Sequence, residues 1–325
     1  MYWTHLRCSG DAPSGRSHAF TCVVGARHFV LGGYSGSHVC DDLFSLDLNN
    51  SHWSKVTVRG DPPCEANRHT SMLWHECLQK QEFLVSFGGN SKSQFFRNPI
   101  HILDPRTMRW VRNEATWLHG SWPSYAGEHS GKWDLQRGPI VFGADDGEYS
   151  NTLQALDMRS MKWMLIHAGG SMVPSPRCLH ATAIDEERRR MVVFGGFDGT
   201  YLNDLYSLDL DTCAFTQHHG EGQVPKKVSG AQIAVEDDSV TVHGGVGCSG
   251  IVTHHVYKMD FAVNKWEHQR SSVDLPRTGH SFCSWRPGMR PNGFRKDEGH
   301  LMRWLAFGGH DGEGYTADVH IARYS

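Results

Sequence analysis

One pattern restricts the fold more tightly than any other: a glycine pair closing an apolar run, with an aromatic residue further on. The first glycines fall at 32, 88, 143, 195, 244 and 308, in steps of 49 to 64 residues, and the third pair has become Gly143-Ala144. Trp53, Trp110, Trp163, Phe215 and Trp266 are the later aromatics. Self-similarity at this period defines a repeat architecture, in which each unit buries its apolar face only against a neighbour.

The segment Pro174 to Phe215 is the clearest copy. Arg177 precedes His180, then HATAI and MVVFGG read as β-strands separated by the charged hairpin tip EERRR. FDG follows, then the alternating strand DLYSLDL, and the fourth strand begins at Phe215. The unit is four short antiparallel strands with no helical period. Its histidine recurs at His18, His69, His129 and His280. An aspartate follows the third strand at Asp47, Asp104, Asp157, Asp209 and Asp260, where a carboxylate can take up the N–H groups of a tight turn.

The two ends of the chain complete each other. WTHLRCSGDAPSGR, from Trp3, matches WSKVTVRGDPP after Trp53, so a fourth strand arrives before any first strand. At the far end ADVHIARYS matches NDLYSLDL and stops after a third strand. Pairing the two closes the array and removes its exposed edges.

With 35 glycines and 11% aromatic residues among 325, the composition is turn-rich and β-rich. A net charge of −3 gives no general attraction to nucleic acid or to an anionic membrane. The start MYWTHLRCSG has no apolar core, and the nine cysteines include no C-x-x-C pair, so a reducing compartment is expected, the cytoplasm or the nucleus.

The repeated Gly-Gly and Trp resemble the kelch repeat, along the whole chain. The resemblance implies an all-β fold: a six-bladed β-propeller of four-stranded antiparallel blades, residues 1–325 forming one domain and the N-terminal strand closing the last blade. It also implies a protein-interaction module, possessing no cofactor or metal and acting as a monomer, that serves as a substrate receptor or scaffold. The alternative is a small-molecule enzyme or metal-assisted specifier. The iron-binding pattern of kelch-like specifiers, Glu with Asp four and His eight residues on, does not occur.

In such a blade the linker before strand one and the loop after Gly-Gly emerge at one end. The linkers hold Arg16, Arg68, Tyr125, Arg177, Lys227 and Arg277, and the loops begin with Tyr34, Asn90, Asp145, Phe197 and His310. In kelch adaptors the corresponding positions line the partner pocket. The expectation is a positive basin for an acidic, phosphorylated or C-terminal peptide, with Arg177→Ala and Arg277→Ala costing binding and sparing stability. Pairing of these arginines with Asp or Glu between blades is the competing reading. Two further expectations concern a basic insertion at Arg286 to Arg303, read as a surface loop, and the pairs His218-His219 and His254-His255, read as surface residues or as strand residues facing opposite ways.

Overall fold

The computed structural model describes residues 1–63, 70–76, 81–87, 99–114, 116–117, 130–134, 138–145, 148–170, 172–285 and 303–323. They form six small sheets arranged as a six-bladed propeller, each numbered here by the order of its glycine pair. Blade four runs Ala181–Asp185, Arg190–Phe197, Tyr201–Asp209 and Phe215–His218, each strand antiparallel to the next. Six apolar clusters lie between consecutive blades. Blade four packs on blade five through Val192, Phe194, Ile233 and Trp266, and blade six packs on blade one through Leu305, Phe307, Val30 and Trp53. The later aromatics are the keystones: Trp266 lies 6.0 Å from Phe194, Phe215 lies 5.5 Å from Phe142, and Trp53 lies 5.8 Å from Phe307, ring centre to ring centre.

In blades three and four the pair Gly143-Ala144 or Gly195-Gly196 makes a bulge within strand two. In blade four the register shifts between Phe194 and Gly196, and the two glycines take φ of 60° and 100°. A Cβ on Gly196 would stand 2.6 Å from the Cys178 carbonyl oxygen, so only glycine lets the backbone come this close. The aspartate turns repeat with equal fidelity. Asp47, Asp104, Asp157, Asp209 and Asp260 each accept, through Oδ1, the N–H two residues on, at 2.9 Å every time.

Closure takes the expected form. Tyr2–His5 pairs antiparallel with Val319–Arg323, Trp3 opposite Ala322. Trp3 is buried against blade five, its ring 5.1 Å from that of His243.

Two features depart from the sequence reading. Four blades carry a short fifth strand, added in parallel to the outer edge by the incoming chain: Ser9–Gly10, Arg59–Gly60, Thr116–Trp117 and Glu221–Gly222. In blade four a Gly169↔Ala214 bridge takes its place. In three of the four the fifth strand's sequence mark is a glycine that lies over the blade's aromatic residue: a Cβ on Gly10, Gly60 or Gly222 would run into the carbonyl oxygen of Trp53, Trp110 or Trp266, whereas Thr116–Trp117 has no glycine.

The histidine register is the second departure. His18 aligns with Leu179, Gly230 and Gly279, all at positive φ, and not with His180 and His280. These residues hand a backbone hydrogen bond around the ring, from Gly230 N to Leu179 O, Gly279 N to Gly230 O and His18 N to Gly279 O. The true register partners of His180 and His280 are Ala19 and Ala231, so the histidine is no invariant mark of the blade. His69 and His129 lie outside the described residues.

Candidate functional site

The linker before strand one and the loop after Gly-Gly do meet at one end. Antiparallel bridges join Ser17 to Tyr34, Cys178 to Phe197, Ser229 to Val246 and Thr278 to His310, in blades one, four, five and six. Asp145 holds the corresponding backbone place in blade three, opposite Tyr149. Arg68, Asn90, Tyr125 and the insertion from Arg286 to Met302 lie outside the described residues.

The arginines, however, do not face solvent. Arg16, Arg177 and Arg277 are only 1%, 0% and 6% exposed. Arg177 donates from Nη1 to Asp204 Oδ1 at 2.6 Å, from Nη2 to Oδ2 at 2.8 Å, and from Nη1 to the Gly195 carbonyl at 3.1 Å. Arg16 repeats this on Asp42 and the Gly32 carbonyl, at 2.5 and 2.9 Å, and Arg277 reaches Asp318 at 2.5 Å. Aromatic faces lie beside two of the guanidinium groups, Phe44 at 5.6 Å and Tyr206 at 5.5 Å. Asp318 shows the electrostatics: burial pushes its carboxyl up, but the His320 hydrogen bond and the Arg277 charge hold it well below the usual range.

Each pair lies within one blade, and the backbone carries the link between blades. Arg16 N–H donates to Thr316 O and its carbonyl accepts from Gly309 N, both in blade six. Arg277 is held to blade five in the same way by Thr253 O and Gly245 N. The side chain thus fastens to its own blade while the backbone is held by the preceding one. The expected exposed forks at Arg16, Arg177 and Arg277 are corrected on this point: the guanidinium makes five hydrogen bonds inside the junction at Arg16 and at Arg177, and two at Arg277, to Pro276 O and Asp318.

What the end does present is aromatic. Tyr34 packs edge to face on Tyr315 at 5.6 Å, and Tyr315 on His310 at 4.9 Å, across the junction of blades six and one. Tyr149, Phe197 and Tyr201 form a second cluster at the junction of blades three and four, with centroid distances of 5.9 and 5.2 Å. In a ring of six blades these junctions are diametrically opposite. Tyr149, Tyr201 and Tyr315 were not singled out from the sequence, although Tyr201 and Tyr315 each follow an Asp-Gly turn after the glycine pair (Asp198-Gly199 and Asp311-Gly312).

Blade five differs. Register places Val228, not Lys227, at the arginine position, because Ser229 bridges Val246 as Cys178 bridges Phe197. His255, just before the third strand, stands where Asp42, Asp204 and Asp318 stand. Lys226 and Lys227 are exposed, as is Ile251 at 71%. Where the arginine would lie there is a small recess of about 10 Å³, open to solvent, with room for about one water molecule and lined by Lys226, Val228, Gly244, Thr253, His255 and Tyr257 among others. His254 and His255 fall in the loop before Val256–Asp260, so their rings are not forced apart by strand alternation and lie 4.5 Å centre to centre. His255 Nδ1 lies 3.2 Å from His268 Nε2. Burial lowers the His255 pKa, and the neighbouring His254, His268 and Lys226 lower it further, against the opposite pull of Asp274.

The model of the KLHDC2/KLHL20/DRC7 Kelch-repeats domain matches residues 1–134 and 134–324. Acyl-CoA-binding domain-containing protein 5 of Arabidopsis thaliana is 29% identical over 76% of this chain and 39% of its own length. Kelch domain-containing protein 1 of Mus musculus is 23% identical over 94% of this chain and 69% of its own length. Host cell factor 2 of Homo sapiens is 27% identical over 89% of this chain and 34% of its own length. The chain spans less than half the length of the first two relatives it matches, at 39% and 37%.

Proposed function

Because the chain belongs to the KLHDC2/KLHL20/DRC7 Kelch-repeats family, whose propellers serve in general as protein-interaction modules, we propose that it recognises a partner protein at the end of the ring where linkers and loops meet. The observation that carries the reading is the pair of half-buried aromatic clusters on opposite sides of that end, Tyr34 with Tyr315 and Phe197 with Tyr201. Rigid aromatic walls contribute large contact area for little entropy, which suits hot spots. A peptide or loop crossing the ring would touch both walls, and an acidic or phosphorylated segment would find its positive charge at blade five, from Lys226 and Lys227. The role is that of a substrate receptor or scaffold without catalysis. The compartment that suits this role is the cytoplasm, or the nucleus, where an exposed thiol such as Cys248 would keep its free form.

The test is affinity capture with crosslink mapping, comparing the native chain with Tyr34→Ala and Phe197→Ala. Each substitution is expected to cost about 1–2 kcal/mol of partner affinity with melting nearly unchanged. A partner that crosslinks only to the outer strands, and is held equally by both variants, overturns the reading.

A further inference from the structure

We infer that the aromatic wall at the junction of blades six and one takes an arginine side chain of the partner segment, its guanidinium lying against Tyr34 and Tyr315 in the field of the carboxylates around them. The inference rests on the recognition reading above and adds the charge of the residue that this wall selects.

The wall is fixed before anything binds. Tyr34 donates its hydroxyl to the Gly36 carbonyl at 2.7 Å. Tyr315 lies so close over Gly36 that a Cβ there would stand 2.6 Å from its ring, and His310 packs edge to face on Tyr315. Bridges from Tyr34 to Val39 and from His310 to Tyr315 close the two loops that carry these rings. All three rings are half-buried, so contact surface remains that a ligand can use without first ordering a loop.

The charge around the wall is unbalanced. Residues 14–17, 33–42 and 308–317 supply the linker and the two loops of this junction. They hold four carboxylates, Asp41, Asp42, Asp311 and Glu313, and one cationic side chain of the Lys or Arg type, Arg16. Arg16 and Asp42 neutralise each other inside the junction, which leaves three negative charges. Asp41 and Glu313 are exposed. Burial pushes the Asp311 carboxyl up, but the N–H groups of Gly314 and Glu313, which donate to Oδ1 at 2.8 and 2.9 Å, hold it below its ordinary value. Lys226 and Lys227 lie on blade five, so the end of the ring is split in sign, and a segment crossing it is favoured in one direction.

The chain already holds its own guanidinium groups with this combination of ring and carboxylate. Phe44 and Asp42 flank that of Arg16, and Tyr206 and Asp204 that of Arg177. Nearer the surface, Arg190 lies 4.0 Å from the Phe261 ring centre and donates to Asp185 and Asp238. A flat, weakly hydrated guanidinium stacks on rings, whereas an ammonium keeps its water, so arginine is favoured over lysine.

The experiment labels the intact chain with fluorotyrosine and follows Tyr34 and Tyr315 by fluorine NMR, assigned through Tyr34→Phe and Tyr315→Phe. Acetyl-arginine amide, acetyl-lysine amide and the uncharged acetyl-citrulline amide are titrated at millimolar concentration against sodium chloride of equal ionic strength. The arginine probe is expected to move both resonances and to bind more tightly than the lysine probe. Glu313→Gln should weaken the response about threefold, the worth of one exposed ion pair, and Glu313→Lys should weaken it further. Glu313 is exposed, so the folding of these variants is not at issue. A response to citrulline equal to that to arginine, or an undiminished response in Glu313→Lys, overturns the inference. Partner capture by Tyr34→Ala keeps the two readings apart. Capture lost while free arginine leaves both resonances unmoved ends this inference and spares the recognition reading. Arginine binding with capture undiminished leaves the contact standing and ends the recognition reading.

Discussion

Blades four and five share one backbone and differ in one internal contact. In blade four Arg177 lies in the junction on two Asp204 oxygens and the Gly195 carbonyl. In blade five Val228 and His255 occupy those places, and a recess remains. Both blades keep the two glycines at positive φ, the aspartate turn and the buried later aromatic, Phe215 or Trp266. The ring therefore stands on the apolar interface and the backbone bonds, and the buried ion pair adds to a junction that can exist without it. The repeated residues identify the scaffold, and the loop residues that do not repeat are the candidates for function.

The strongest challenge to this picture is at the junction of blades five and six. Deleting Met1 to Cys8 removes a Trp3 that is 5% exposed and leaves Val319–Arg323 as an edge strand paired on one side alone. A cavity of that size costs about 3–5 kcal/mol before the lost strand pairing is counted. Thermal melting is expected to show either a drop far beyond that of an ordinary terminal trim or no cooperative transition. A melting point within a degree or two of the native one would mean that the interface between blades does not carry the ring.

Breaking the junction in blade four comes next. Arg177→Ala leaves Asp204 beside a carbonyl without its cation and should cost about 3–5 kcal/mol, read by denaturant unfolding. Arg177→Met with Asp204→Leu removes both charges and should recover most of the loss. If Arg177→Ala instead left stability untouched and abolished partner capture, the buried pair would be a binding device after all.

The smallest effect concerns a buried polar group with no charge to pair. His28 is fully buried beside Trp53 and Phe307, and neither ring nitrogen has a partner among the described residues. Burial lowers its pKa from 6.5 to about 4. A base depressed in the folded state contributes stability above its unfolded pKa, and this is lost as pH falls from about 6.5 toward 4. The linked loss is at most about 3 kcal/mol across that window. His28→Phe should flatten that part of the stability profile, and an unchanged slope would place the acid sensitivity elsewhere, for instance at His243, lowered to about 3 by its own burial.

Much of this molecule could be read from the chain alone. The five glycine pairs with Gly143-Ala144, the aspartate turns and the copy of a fourth strand beginning at Trp3 are local signals. Positive φ, turn hydrogen bonding and strand alternation are decided within a few residues, and repetition raises each above chance. That the loops of Tyr34, Phe197 and His310 meet the linkers before strand one follows from strand direction in a four-stranded blade.

What the chain alone could not decide were distances between segments far apart in sequence. Whether Arg177 faced solvent or Asp204, 27 residues on, depended on how a linker lies against its own blade. His18 looked like His180 until the bridges of Ser17 and Cys178 set the register, one residue away. The short parallel fifth strand needed the outer edge of the next blade, and the recess at Val228 needed the arginines around it to be seen filled. Local conformation was written in neighbouring residues, whereas exposure and pairing belonged to packing, which only the closed ring supplied.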